Sequence, residues 1–87
     1  MAPYEVVFRP SVAKDFHGIP QFDIQRILDR INALRTDPRP PGVEKLSAQE
    51  RYRLRQGVYR IIYGVDDSRL AVEVVKVGHR SAVYRSD

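Results

Sequence analysis

Three arginines recur at every second position in the second half of the chain, at Arg51, Arg53 and Arg55. If this stretch is a β-strand, the rise of about 3.3 Å per residue separates the guanidinium groups by about 6.6 to 7 Å along one face. That separation resembles the distance between successive phosphates on a single nucleic acid strand. A row of like charges is unfavourable unless an anion approaches it, so the pattern indicates a phosphate-binding surface. The alternative is an edge strand whose charges prevent aggregation.

A second group of chemically versatile side chains, His79, Arg80 and Tyr84, follows near the end of the chain. Together they offer an acid or base near neutral pH, a permanent cation and a phenol. No carboxylate cluster accompanies His79 or the second histidine, His17, so we expect no metal site. The sequence also has no glycine-rich phosphate loop and no nucleophile-elbow serine, and we expect no cofactor.

Length and composition limit the classes of protein that can carry these residues. A chain of 87 residues with 43% hydrophobic and 30% charged residues predicts a single domain over residues 1–87. It has no cysteine, which excludes disulfides and thiolate sites, and no stretch approaches the roughly 20 apolar residues of a membrane span. We therefore expect a cytoplasmic protein.

The positive charge is concentrated in the second half of the chain. Residues 1–44 carry six basic and six acidic side chains, whereas residues 45–87 carry nine basic and five acidic ones, a net charge of +4. Twelve of the fifteen basic residues are arginine, whose planar guanidinium binds phosphate oxygens bidentately. A basic surface that is merely solvated remains the alternative to a nucleic-acid interface.

Hydrophobic periodicity predicts the elements that position these side chains. A short strand over residues 4–9 ends at Pro10, and a short first helix capped by Ser11 ends before Pro20. A longer helix over residues 21–36 follows, with one apolar stripe formed by Ile24, Ile27, Leu28, Ile31 and Leu34. The proline-rich segment 37–42 then connects the helices to a region in which apolar residues recur at every second position.

The alternation of residue types in this second region predicts three consecutive strands. They cover residues 51–55, 58–65 and 70–77, with a turn at Gln56-Gly57, and the largely apolar third strand belongs inside the sheet. Alternation turns Tyr52 and Leu54 to one face and the arginines to the other. The predicted fold is α+β: an N-terminal strand, a two-helix hairpin and a three-stranded antiparallel meander, with the helices on one face of the sheet.

Two motifs in this region, at the separation they have in the sequence, indicate a protein family. They are the meander segment around Tyr59-Arg60-Ile61-Ile62-Tyr63, and the later run Val77-Gly78-His79-Arg80 with Val83-Tyr84. The chain resembles the RelE branch of the RelE/ParE toxin superfamily over nearly its whole length. This resemblance implies a type II toxin that enters the ribosomal A site and cleaves mRNA there, and that a RelB-like antitoxin holds inactive. It also implies a metal-independent attack of the 2′-hydroxyl on the adjacent phosphate.

The resemblance assigns roles to individual residues. Arg60 would stabilise the transition-state phosphate and Arg80 the leaving 5′-oxygen, while Tyr84 would orient the substrate. His79 and Arg53 complete the candidate catalytic group. The candidate RNA-binding residues are Arg51, Arg53, Arg55 and Lys45, which precedes the meander.

One departure from the family pattern leaves the general base open. Arg51 and Arg53 stand where the best-studied relatives have lysines, and an arginine holds its proton too firmly to act as a base. Either His79 supplies the base, or catalysis relies on electrostatic preorganisation and the ribosome. Two other functions are compatible with this fold: a ParE-like DNA gyrase inhibitor, and a non-catalytic RNA- or ribosome-binding module.

Overall fold

The computed structural model describes residues 3–46 and 50–83, and these form a single five-stranded sheet with three helices. Its strands are β1 (Glu5–Phe8), β2 (Glu44–Leu46), β3 (Arg51–Gln56), β4 (Tyr59–Asp66) and β5 (Ala71–His79), in the order β1-β5-β4-β3-β2. β1 runs parallel to β5, and every other neighbouring pair is antiparallel. The predicted meander of β3, β4 and β5 is confirmed, and β5 is an interior strand as expected.

The helices are α1 (Val12–Asp15), α2 (Gln21–Ala33) and α3 (Arg80–Val83). The sequence predicts a first helix that continues nearly to Pro20, but α1 is one turn long and the chain then passes through Gly18 at φ +85°. α2 matches the predicted long helix and is followed by turns that reach Thr36. The single turn α3 directly follows β5.

The helices cover one face of the sheet, as predicted. Val12 of α1 packs on side chains of β3, β4 and β5 together with Ile27, Ile31 and Leu34 of the predicted stripe, whereas Leu28 is exposed. Because these positions lie at helical spacing on one element and at alternate positions on the others, they meet in a single buried layer. Its largest fully buried members are Tyr63, Ile27, Ile31, Leu34, Leu54 and Ile61.

Neither α1 nor α2 packs on the opposite face of the sheet, which has a small apolar patch. Ile62 and Val75 are buried there against the partly buried Leu46. The patch contains Val75 because the register between β4 and β5 shifts: Ile62 lies opposite Lys76 and Tyr63 opposite Val74. This open face is therefore mainly polar.

Beyond the end of β1, a side chain of helix α1 forms a hydrogen bond to the backbone of β5. β1 pairs with β5 only as far as Val74, and Pro10 has no backbone N–H with which to extend the pairing. Beyond that point the carboxylate of Asp15 accepts the backbone N–H of Val77 at 3.0 Å and lies 3.5 Å from Lys76 Nζ. A helical side chain thus satisfies the hydrogen bonding of the exposed strand.

Within residues 3–46 and 50–83, no helix has both the length and the apolar character needed to cross a membrane.

Candidate nucleic-acid interface

The arginine row lies on the open face of the sheet. Tyr52 and Leu54 belong to the helix-side core, so strand alternation directs Arg51, Arg53 and Arg55 to the other face. Arg51 and Arg53 are half-buried and Arg55 is exposed. The predicted separation of an apolar and a cationic face on β3 is confirmed.

The β3–β4 turn determines that Arg60 joins this row, which alternation alone left undecided. The turn consists of Gly57 and Val58, and Gly57 adopts φ +61°, a conformation that glycine accepts without strain. The resulting register sets Arg60 directly opposite Arg55. Cross-strand partners share a face, so both arginines lie on the open side of the sheet.

Arg60 is the buried charged residue of the described chain, with 5% of its surface exposed. Its Nη1 donates to the carbonyl oxygens of Gly57 at 3.2 Å and Tyr59 at 3.0 Å. Its buried Nε has no hydrogen-bond partner in residues 3–46 and 50–83, and no carboxylate of these ranges pairs with it. Burying a guanidinium without a directly paired carboxylate is costly, so Arg60 is suited to bind an anion.

Arg53, in contrast, has a carboxylate partner from within the chain. Its Nε lies 3.1 Å from Glu44 Oε1 on the neighbouring strand β2. The hydrogen bond and charge of Arg53, followed by the charges of Arg55 and Arg60, lower the pKa of the Glu44 carboxyl. Glu44 therefore lies within the electrostatic field of Arg53, Arg55 and Arg60.

Lys45 lies on the other side of β2. It stands opposite Tyr52 in the register, and its Nζ pairs with Glu50 Oε2 at 3.1 Å. The hydrogen bond raises the pKa of the Lys45 ammonium and lowers that of the Glu50 carboxyl. The predicted RNA contact of Lys45 stays a prediction, and the structure does not bring this lysine to the face of the arginine row.

His79 and Arg80 lie where β5 passes into α3. His79 pairs with Tyr59, and the two rings meet edge to face with centroids 6.2 Å apart. Tyr59 packs on the helix-side core, so His79 belongs to the sheet face opposite Arg60. The Nδ1 of His79 accepts the backbone N–H of Ser81 at 3.3 Å and lies 3.0 Å from the Ser81 hydroxyl.

The backbone of Arg80 lies next to the β3–β4 turn, which also binds Arg60. The Arg80 N–H donates to the carbonyl of Val58 at 2.8 Å, and the adjacent carbonyl of Gly57 receives Arg60 Nη1. We call Arg55, Arg60 and Arg80 the cation end of the sheet. Tyr84, the remaining predicted site residue, lies outside the described residues.

Sequence reasoning missed a second arginine site at the other end of the sheet. Arg39, in the proline-rich connector, binds Asp67 through both terminal nitrogens at 3.2 and 2.8 Å, and its Nε donates to the Tyr52 hydroxyl at 2.8 Å. The hydroxyl of Tyr4 donates to Asp67 at 2.7 Å. We call Tyr4, Arg39, Tyr52 and Asp67 the clamped end, because they tie the N-terminus and connector to the sheet.

The charges of the clamped end stabilise one another. Hydrogen bonds from Arg39 and Tyr4 lower the pKa of the Asp67 carboxyl, and the bonds to Asp67 and Tyr52 raise the pKa of the Arg39 guanidinium. Next to this network, Tyr63 donates to the carbonyl of Pro38 at 2.7 Å, and burial raises the pKa of its phenol. A run of prolines is the only sequence signal for this segment, and it indicates rigidity rather than binding.

The described ranges contain no group of three or more His, Cys, Asp or Glu side chains that could hold a metal ion. The side chains gathered on the open face are predominantly guanidinium groups. The arrangement is therefore suited to binding anions through charge and hydrogen bonding.

Residues 6–84 match the family model of the ParE toxin of the type II toxin–antitoxin system parDE. A curated relative, Toxin RelG of Mycobacterium tuberculosis, is 27% identical over 85 residues, which cover 95% of this chain and 98% of the relative. Toxin RelE of the same organism is 28% identical over 85 residues, covering 95% of this chain and 88% of the relative.

Solved structures of toxin–antitoxin complexes are similar to the fold. The RelBE2 complex of Mycobacterium tuberculosis gives a TM-score of 0.78 at 26% identity, over 90% of this chain and 99% of that chain. The predicted fold class is confirmed by this similarity. The chain therefore belongs to the RelE/ParE superfamily of type II toxin–antitoxin toxins, on its RelE branch.

Proposed function

We propose that this toxin is a metal-independent endoribonuclease that cleaves mRNA in the ribosomal A site and is held inactive by a RelB-like antitoxin. The observation that carries the proposal is the state of Arg60, a buried guanidinium bonded to carbonyl oxygens and lacking a carboxylate partner in the described chain. An approaching phosphate would provide the missing counter-charge. Arg55 and Arg80 supply further positive charge around it.

The proposed reaction is an internal transfer at phosphorus. The 2′-oxygen of the substrate loses its proton and attacks the adjacent phosphorus, the bond to the 5′-oxygen breaks, and that oxygen gains a proton. The products are a 2′,3′-cyclic phosphate and a free 5′-hydroxyl, with no net consumption of water. Arg60 would stabilise the negative charge on the phosphorane, and Arg80 the charge on the leaving oxygen.

The arginine row would bind phosphates that flank the cleaved one. Arg51, Arg53 and Arg55 follow one another at about 6.6 to 7 Å along β3. An RNA phosphate at Arg53 competes with Glu44, which lies 3.1 Å from it in the free protein. Binding should therefore weaken as salt concentration rises, because displaced counterions contribute to the affinity.

An apolar groove supports the proposed antitoxin partner. A concavity of about 360 Å³ lies between β1, α1 and α2, and Phe8 and Leu28 in its lining are exposed. Solved relatives of the fold include complexes of RelE with RelB. An amphipathic antitoxin helix could bury this groove, while a separate acidic segment of the antitoxin would reach the arginines on the opposite face of the sheet. The groove is lined by Phe8, Arg9, Pro10, Val12, Ala13, Phe16 and Leu28.

The test is cleavage of mRNA on purified ribosomes that carry a defined codon in the A site. We expect cleavage within that codon, and products with a 2′,3′-cyclic phosphate and a 5′-hydroxyl. Arg60→Ala should lower the single-turnover rate by about 10² to 10³. Arg69→Ala is the matched control, because the Arg69 side chain is 85% exposed at the opposite end of β4. Intact mRNA with wild-type toxin would overturn the proposal.

The match to the ParE toxin model favours one alternative, inhibition of DNA gyrase by binding. A supercoiling assay with purified gyrase separates the two functions. We expect no inhibition at toxin concentrations that cleave mRNA on ribosomes. Inhibition without mRNA cleavage would favour the ParE-like function.

A further inference from the structure

We infer that His79 is a positioning residue: its ring caps the first turn of α3 and thereby holds Arg80 beside Arg60. The inference rests on the proposed function for its catalytic consequence. It assigns His79 a role other than the general base that its position in the sequence suggests.

The geometry around the ring supports a cap. His79 directly precedes α3, and its Nδ1 accepts the N–H of Ser81, the second residue of that helix, at 3.3 Å. Side chains at this position commonly accept a hydrogen bond from the second or third helical N–H, which otherwise has no partner in the helix. The Ser81 hydroxyl, 3.0 Å from the same nitrogen, gives a second contact.

The cap also fixes where the imidazole proton resides. A backbone N–H can only donate, so Nδ1 must supply its lone pair, and the neutral ring then carries its proton on Nε2. In that tautomer the exposed nitrogen has no lone pair with which to accept a proton from a 2′-hydroxyl. The nitrogen that does have one is engaged with Ser81. A general base would have to release this cap first.

The position of the ring on the sheet leads to the same conclusion. Tyr59 holds the ring edge to face at 6.2 Å, on the side opposite Arg60. The residue that follows His79 reaches the cation end, because Arg80 N–H binds the carbonyl of Val58 at 2.8 Å. Anchoring His79 therefore anchors the backbone of Arg80 next to the turn that binds Arg60.

Replacement of His79 by two residues separates capping from base catalysis. Asparagine is a strong helix cap but cannot take up a proton near neutral pH, whereas alanine can do neither. We expect His79→Ala to lower single-turnover cleavage by about tenfold, and His79→Asn to stay within about threefold of wild type. His17→Ala, which removes the exposed histidine near α1, is the matched control.

Amide hydrogen exchange gives a readout that does not depend on cleavage. Exchange of the Ser81 N–H should accelerate about fivefold or more in His79→Ala and remain near wild type in His79→Asn. Equal loss of cleavage in both variants, with Ser81 exchange retained in His79→Asn, would overturn the inference in favour of a base. Unchanged Ser81 exchange in His79→Ala would also overturn it. Wild-type protein that does not cleave would count against the proposed function. The exchange data would still show whether His79 caps α3.

Discussion

The two ends of the sheet hold arginines in opposite ways. At the clamped end, Arg39 meets both oxygens of Asp67 and a tyrosine hydroxyl, so its donors and its charge are matched within the chain. At the cation end, Arg60 is more deeply buried, yet its hydrogen bonds go only to carbonyl oxygens and its Nε has no partner in the described ranges. The first arrangement stabilises a fold. The second would, under the proposed function, receive its counter-charge from the substrate.

The two arginines differ in the type of partner they have, and burial alone would suggest the wrong one as the structural residue under the proposed function. Arg39 is more exposed than Arg60, although burial is usually associated with structural residues. A buried guanidinium without a carboxylate contributes little to stability, because its desolvation is not repaid by a counter-charge. Replacing each arginine should therefore affect different properties of the protein.

The largest expected effect is on catalysis, from Arg60→Met. We expect single-turnover cleavage to fall by about 10² to 10³, because the phosphorane loses a preorganised donor. The free energy of unfolding should stay equal or rise by about 1 kcal/mol, since an apolar side chain of similar size replaces an unpaired charge. Ribosome assays and urea unfolding measure the two quantities. Normal cleavage with marked destabilisation would make Arg60 a structural arginine like Arg39.

The converse change, Arg39→Lys, should affect stability instead. Lysine keeps the charge but cannot bind both Asp67 oxygens and Tyr52 at once, so we expect the free energy of unfolding to fall by about 1 kcal/mol. The moderate size reflects the solvent access of this ion pair. Urea unfolding measures it, and cleavage should remain within about twofold of wild type. If Arg39→Lys lost cleavage while its free energy of unfolding stayed at the wild-type value, the clamped end and the cation end would not differ in role.

A smaller effect should follow from Glu44→Gln, which removes a carboxylate that would compete with phosphate for Arg53. Without the negative charge 3.1 Å from Arg53 Nε, we expect affinity for single-stranded RNA to rise about threefold at low salt. Fluorescence anisotropy with a labelled oligonucleotide measures this change. Glu73→Gln is the control, because Glu73 pairs with Arg9 at 3.8 Å outside the row. Equal affinities for both variants would argue against a phosphate contact at Arg53.

The smallest effect concerns acid stability at the clamped end. Asp67 has a lowered pKa in the folded protein, so its contribution is complete above the ordinary aspartate value of about 3.9 and is lost as pH falls through the lowered value. The stability difference between wild type and Asp67→Asn should therefore be constant near neutral pH and shrink below about pH 4. Urea midpoints across this range measure it. A difference that persists at the lowest pH would contradict the assigned pKa direction.

Much of the fold follows from periodicity in the sequence. The alternation from Arg51 onward and the apolar stripe of α2 predict the meander and the long helix, because each repeat is sustained over several residues. β2 could not be predicted in this way, because three residues are too few to show a period. They form a strand by pairing with β3. The single turn of α3 is also too short to be predicted from periodicity.

The site is predictable only where its geometry is local. Alternation gives the face of Arg53 directly, but the face of Arg60 depends on the two-residue turn and the register that it sets. Arg39 could not be found, because its partners lie 13 and 28 residues away in the sequence. The cap on α3 is a contact between residues two apart, yet it depends on a helix turn that the pattern does not predict.

The hydrogen bond from Val77 to Asp15 has a consequence for colloidal behaviour. An unpaired strand margin can recruit extended segments from other molecules and start aggregation, and charged side chains are a common natural safeguard. Here the Asp15 carboxylate already accepts the Val77 N–H that the carbonyl of a foreign strand would have to accept. A toxin released from its antitoxin would thus be protected along this margin of β5. Strand addition by other chains is left to the outer margins of β1 and β2.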